Sequence, residues 1–273
     1  MISGPVMALV EPAFAQEMMA ALDRAASVGY GDAKSRPYDV QGPIAIIGVN
    51  GVLIDKCDWA SSWATGYDYI RRALGEAFED PSVQGIVLDV DSYGGLVSGC
   101  FDLCDWIFEA KQQAQKPIAA ILSECAYSAA YAIASCADQI AVPRTGGVGS
   151  IGVVTMHVDY SGWLAQEGMK VTLIKAGAHK TDGNPYEPLP DDVKAEITAE
   201  LEAVRTLFAE TVSRNRTSAG VKLDVAAVLA TEARTYDGLE GTKQAVSIGL
   251  ADAVASPDEA FAAFQAFVEG KTP

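Results

Sequence analysis

From residue 43 onward the chain alternates short apolar runs with amphipathic stretches. The runs PIAIIGVNGVL (43–53), QGIVLDVDS (84–92), PIAAILS (117–123), DQIAVP (138–143) and VTLIKAG (171–177) have the length and β-branched content of buried strands. GGVGSIGVV (146–154) reads as a glycine-rich turn into a further strand. Between them, YDYIRRALGEAFED (67–80), LVSGCFDLCDWIFEAKQQA (96–114), SAAYAIASCA (128–137) and SGWLAQEG (161–168) carry helical spacing. Strands alternating with helices predict an α/β fold with a largely parallel sheet and flanking helices.

After Pro190 the pattern changes. Val193, Ile197, Leu201, Val204, Phe208 and Val212 form one apolar stripe along a long helix, with Asp191 and Asp192 favourably placed at its positive end. Shorter helical stretches follow, then IGLADAVAS and a final amphipathic helix bearing Phe261, Phe264 and Phe267. Residues 1–40 read as an N-terminal arm, with an amphipathic helix around Ala15 to Ala26 and a turn-rich GYGDAKSRPYD. The expected division is arm 1–40, one domain 41–255, and a C-terminal helix and tail 256–273.

The formal net charge of −16 disfavours binding to nucleic acid phosphates and docking on anionic membranes. No apolar run approaches the roughly 20 residues of a membrane span. The N-terminus lacks the basic front of a secretory signal, so neither a signal peptide nor a membrane anchor is expected. The five cysteines include no CxxC pair, and Cys100 and Cys104 share a helix face as buried thiols. A reducing cytosol, no metal and no cofactor are expected.

Three stretches carry candidate chemistry. Gly94 and Gly95 in DVDSYGGLVSG (89–99) follow a strand and lead to a helix, where glycines let amides face a cleft. They serve a plain turn or an oxyanion hole. Ser128 also stands where a strand gives way to a helix, at the carboxyl edge of the sheet. It serves as an N-cap or as a nucleophile, and a nucleophilic serine needs a base. The loop AGAHKTDGNPYEPLP (176–190) holds His179 and Lys180, and His157 lies just after SIGVV. A lysine acts as base only when neutral, which requires an apolar, desolvated setting.

Taken in order, GVNGVL, DSYGGLVSG, AYSAAYAIASCADQIAVPRTGGVGSIGVV, AGAHKTDGNPYEPL and EARTYDGLEGTKQAVSIGLADAV resemble the signal peptide peptidase A family of serine peptidases, and within it the capsid assembly proteases of lambda-like phages. The resemblance runs from about residue 43 to 255. It implies a ClpP/crotonase-like fold and a serine–lysine dyad, with Ser128 as nucleophile, Lys180 as general base, and the amides of Gly95 and Ala129 as oxyanion hole. Where the family often has Ser-Pro-Gly-Gly, this chain has Ser92-Tyr93-Gly94-Gly95, and alanines follow its serine where glycines are common.

The resemblance further implies processing of scaffold and other head proteins during phage capsid assembly. The scaffold, portal and capsid proteins would be substrates or partners, the chain would form a homo-oligomer, and it would act in the host cytoplasm within the prohead. His157 is the alternative base. The competing functions are a bacterial or prophage signal-peptide-peptidase-like enzyme with other substrates, a crotonase-like acyl-CoA hydratase or isomerase with paired carboxylates, and a non-catalytic head component.

Overall fold

The computed structural model describes residues 8–10 and 36–270. The helix expected at Ala15 to Ala26 lies outside the described residues. In chain order the strands are β1 (Ala8–Val10), β2 (Asp39–Gln41), β3 (Ile44–Ile54), β4 (Ala64–Gly66), β5 (Gly85–Leu96), β6 (Ile118–Tyr127), β7 (Gln139–Val142), β8 (Gly147–Gly149), β9 (Thr235–Asp237) and β10 (Ala253–Val254). The helices are α1 (Tyr67–Glu79), α2 (Cys100–Ala114), α3 (Ala129–Ala134), α4 (Ser161–Gln166), α5 (Asp191–Ser218), α6 (Val225–Leu229), α7 (Gly238–Ser247) and α8 (Pro257–Val268).

The spine of the sheet runs β10-β7-β6-β5-β3-β2. Its inner neighbours are parallel, and β2 closes one edge antiparallel. The α/β architecture with a largely parallel sheet and flanking helices is therefore the one adopted. A parallel sheet is covered on both faces, which is why its strands read as near-continuous apolar runs. On β5, Ile86, Leu88 and Val90 enter the main core with Ile70 and Leu74 of α1, Leu103 and Ile107 of α2, and Tyr131 of α3. Val87, one step out of phase, points to the other face and packs with Ile44, Ile121 and Phe264 of α8. The final helix thus docks on its own chain through Phe264, while Phe267 is half-exposed.

The long helix α5 is divided along its length. Phe208 and Val212 are buried in the main core, whereas Ile197, Leu201 and Val204 are only half-buried. Its C-terminal half is anchored by polar contacts as well. Arg216, fully buried, donates to the Asp252 carboxylate at 2.7 Å and to the Gly249 carbonyl at 3.1 Å. Asn215 donates to Ser135 Oγ at 3.0 Å, tying α5 to the end of α3.

Two expected elements differ. VTLIKAG (171–177) forms no strand: Val171 and Ile174 are exposed, and no strand among the described residues pairs with this stretch. Apolar β-branched content alone does not make a strand without a partner edge. The glycine-rich turn into a strand is reversed: Gly147–Gly149 is the strand β8, and SIGVV (150–154) continues no strand, because Ser150 adopts φ +54°, which an extended run cannot contain. Strand β5 also runs four residues further than expected, to Leu96, and α2 begins only at Cys100 after the left-handed Gly99.

Candidate active site

Strand β6 ends at Tyr127 and α3 begins at Ala129, so Ser128 is the whole of the connection. Its backbone takes φ +54° and ψ −122°, a region that favours glycine. A serine held there costs on the order of 1–3 kcal/mol unless its surroundings impose it. They do so on both sides. The Ser128 amide donates to the Gly149 carbonyl at 2.8 Å, and the Ser128 carbonyl accepts from Ala132 at 2.9 Å as the first bond of α3. Parallel pairing of Cys125, Ala126 and Tyr127 with Gly147, Val148 and Gly149 holds β8 in place for the first of these bonds.

The capping role open to Ser128 in the sequence is not the one it plays. Its side chain makes no capping hydrogen bond. The hydroxyl is fully buried and has no hydrogen-bond partner. A buried hydroxyl without a partner costs about 1–3 kcal/mol. A strained strand-to-helix turn that presents an unengaged serine is the arrangement used to expose a nucleophile at the top of an α/β sheet. Ala129, as the first residue of α3, has an amide with no intrahelical acceptor.

The glycine pair lies within the neighbouring strand, β5. Ser92 pairs with Ala126, so Gly94 and Ser128 each lie two residues past the same rung. Gly94 has φ +108°. At Gly95 a Cβ would fall 2.0 Å from the Leu53 carbonyl oxygen, so only glycine lets β3 approach this closely. Ser92, which sequence reasoning left without a role, braces the turn: its hydroxyl donates to the Gly51 carbonyl at 2.6 Å and accepts from the Gly94 amide at 3.1 Å. Below it, Cys125 Sγ lies 3.8 Å from Asp91 and from the Ser92 carbonyl. Burial, then the Asp91 and Glu124 charges, push the Cys125 thiol up to about 12, so it stays protonated at neutral pH.

The candidate bases lie in the segment that follows β8. Lys180 is exposed, with its amide turned back on the Gly177 carbonyl at 3.4 Å. His157 Nε2 meets the Asn184 carbonyl at 2.8 Å as donor. His179 Nδ1 meets Asp182 at 2.8 Å, and that bond, with the charge behind it, raises the imidazole's affinity for its proton. Ser128 Oγ is bonded to none of them. All three residues lie between Gly152 and Pro190, where Met156, Trp163, Met169 and Ile174 are exposed.

Residues 110–269 match the model of peptidase family S49. Capsid assembly protease C of Escherichia phage lambda is 39% identical over 232 residues, covering 84% of this chain and 50% of that protein. The head-tail preconnector protein GP5 of Enterobacteria phage P21 is also 39% identical over 232 residues, covering 84% of this chain and 44% of that protein. Protease 4 of Haemophilus influenzae is 28% identical over 188 residues, covering 68% of this chain and 30% of that protein. The chain spans about half the length of the phage relatives it matches. Among solved structures, an enoyl-CoA hydratase from Shewanella pealeana aligns with a TM-score of 0.47 at 10% identity, covering 86% of this chain and 72% of that one. The chain belongs to peptidase family S49.

Proposed function

We propose that the chain is a serine endopeptidase that processes scaffold and other head proteins during phage capsid assembly. Ser128 is the nucleophile and Lys180 the general base. The observation that carries the reading is the buried, unpartnered Ser128 hydroxyl on its left-handed turn, level with Gly94 on the neighbouring strand. A stored strain and an unmet hydrogen bond at one side chain are costs that a structural serine would not carry.

The chemistry follows from proton balance. Neutral Lys180 Nζ takes the Ser128 hydroxyl proton as Oγ bonds to the scissile carbonyl carbon. Negative charge moves to the carbonyl oxygen, which the amides of Gly95 and Ala129 receive. The lysine ammonium returns the proton to the leaving amine as the C–N bond breaks. Water then gives a proton to the lysine, attacks the acyl-serine, and releases the carboxylate with the serine reprotonated.

The lysine must be stripped of water to be neutral. Lys180 is exposed in the single chain, within a segment that also exposes Trp163 and Ile174. Covering that segment, by closure on its own core or against a second copy, would bring both requirements together. The half-buried stripe of α5 supports self-association. The phage relatives, named as a capsid assembly protease and a head-tail preconnector, support the head proteins as substrates and partners. Among the described residues no helix is long and apolar enough to cross a membrane.

The test is labelling of Ser128 with a fluorophosphonate, located by mass spectrometry, together with co-expression with the scaffold and capsid proteins from the same phage. Labelling at Ser128, and scaffold cleavage lost in both Ser128→Ala and Lys180→Ala, is the expected result. Activity lost in His157→Ala and kept in Lys180→Ala would transfer the base to His157. Scaffold left full-length by the parent chain would remove the head-processing role.

A further inference from the structure

Strand β5 has partners on both edges at its end. Gly94 and Gly95 pair with Val52 and Leu53 of β3 on one side, and with Val10 and Leu9 of β1 on the other. Because β3 holds its edge from Ile44 onward, β1 must stand on the edge that β6 occupies up to the Ser92–Ala126 rung. Strand β6 leaves that edge at Tyr127, where Ser128 turns the chain into α3. The segment Ala8–Val10 therefore continues the sheet into the place β6 vacates, and Val10, opposite Gly94, is its end nearest the turn at Ser128. It runs antiparallel to β5, whereas β6 runs parallel.

An extended peptide laid on an open strand edge is bound through its main chain and held in a fixed register. On the edge of Gly94–Leu96 that register would carry its carbonyls past Ser128 and the oxyanion amides. Ser128 has no exposed surface, so a substrate reaches its hydroxyl only after something leaves. The seated strand pairs over only three residues, and pairing this short is marginal without further support.

We infer that Ala8–Val10 occupies the substrate-strand position in cis, making the N-terminal segment an intramolecular competitive inhibitor that a substrate must displace. This rests on the assignment of Ser128 as nucleophile. It adds that the resting chain is closed by its own backbone and opens when that strand is exchanged.

The test uses the full chain with Leu9→Pro, and separately with Ala8→Pro and Val10→Pro together. Successive residues of a strand direct their amides to opposite edges, so one of the two variants must remove ladder bonds. Amide hydrogen exchange at Gly94–Leu96, cleavage of unfolded casein, and fluorophosphonate labelling of Ser128 are read on each. In at least one variant the exchange should quicken and KM should fall by about tenfold, as expected if the open form is about a tenth of the resting population. A synthetic peptide of residues 1–16 should then inhibit that variant competitively. Unchanged exchange in both variants overturns the inference. So does quickened exchange with unchanged KM while Ser128 labels normally, because β1 is then a structural strand only. If Ser128 labels in no form and casein is never cut, the nucleophile assignment itself fails and the inhibition falls with it.

Discussion

The Ser128 amide donates to the Gly149 carbonyl at 2.8 Å, and both residues have positive φ, +54° and +115°. Two residues of positive φ, one just past the end of β6 and one at the end of β8, thus share one hydrogen bond. The strain at Ser128 is maintained by a glycine that has its own reason to be there. A Cβ on Gly149 would lie 2.5 Å from the Arg234 carbonyl oxygen, where β8 meets the segment leading into β9.

Gly149→Ala should therefore disturb Ser128 without touching it. The variant is expected to lose about 1–3 kcal/mol of stability from the disallowed backbone and the contact with Arg234. Urea unfolding measures the loss. Fluorophosphonate labelling of Ser128 in the still-folded fraction should drop at least as much as in a control with an equal stability loss in α8, such as Phe264→Leu.

Ser128→Ala should abolish cleavage and leave the protein as stable or more so. Removing a buried hydroxyl that has no partner relieves a cost of about 1 kcal/mol or more, while alanine keeps the methylene volume. Thermal unfolding should show a raised or unchanged midpoint. A fall of several degrees would mean that the hydroxyl has an unseen stabilising partner.

Cys125, held beneath the glycine turn with its thiol pushed up to about 12, should be inert. Iodoacetamide at pH 8 should leave it unmodified in the native protein and modify it after urea unfolding. Peptide mapping distinguishes the two. Cys125→Ala should retain cleavage, which separates this thiol from the nucleophile.

At the other end of the sheet, Asp80 ties the end of α1 to its surroundings. Ser82 donates to its carboxylate through hydroxyl (2.6 Å) and amide (2.8 Å), and Tyr38 and Arg36 add to the other oxygen. These bonds, led by those of Ser82, lower its pKa to about 2. A depressed carboxylate stabilises the fold above its unfolded value, about 3.9, and the contribution is lost as pH falls through about 2. The stability advantage of the parent over Asp80→Asn should be constant above pH 5 and shrink between about pH 4 and 2. Urea midpoints across that range check the sign.

The sheet was legible because its strands are buried on both faces and announce themselves as apolar runs. The helices α1, α2, α5 and α8 were legible from their stripes. The i, i+4 spacing of Cys100 and Cys104 predicts buried thiols, and both are buried. What escaped depended on pairing or on backbone angle. VTLIKAG has strand composition and no edge to join, and SIGVV breaks at Ser150 because of a positive φ that no residue type announces. At the site, Gly94, Gly95 and Ser128 could be singled out by their places between strand and helix. The brace from Ser92 and the bond from Gly149 could not, since each depends on a neighbouring strand's register. Nor could β1 be found: three residues, Ala8 to Val10, carry no period, and only the vacancy beside β5 gives them a partner.

The edge of β5 beyond Ser92 is a row of main-chain groups, and such groups carry no information about side chains. On the proposal that a substrate strand seats there, its main chain is what the edge binds, so an extended segment is favoured over any particular sequence. Discrimination then passes from recognition to the prospective substrate's own stability. A segment that is already unfolded can be drawn straight at no cost, whereas a folded domain is protected by the 5–15 kcal/mol, roughly, that keeps its strands at home. Two proteins in the same compartment, alike in composition, would meet different fates according to how firmly each is folded.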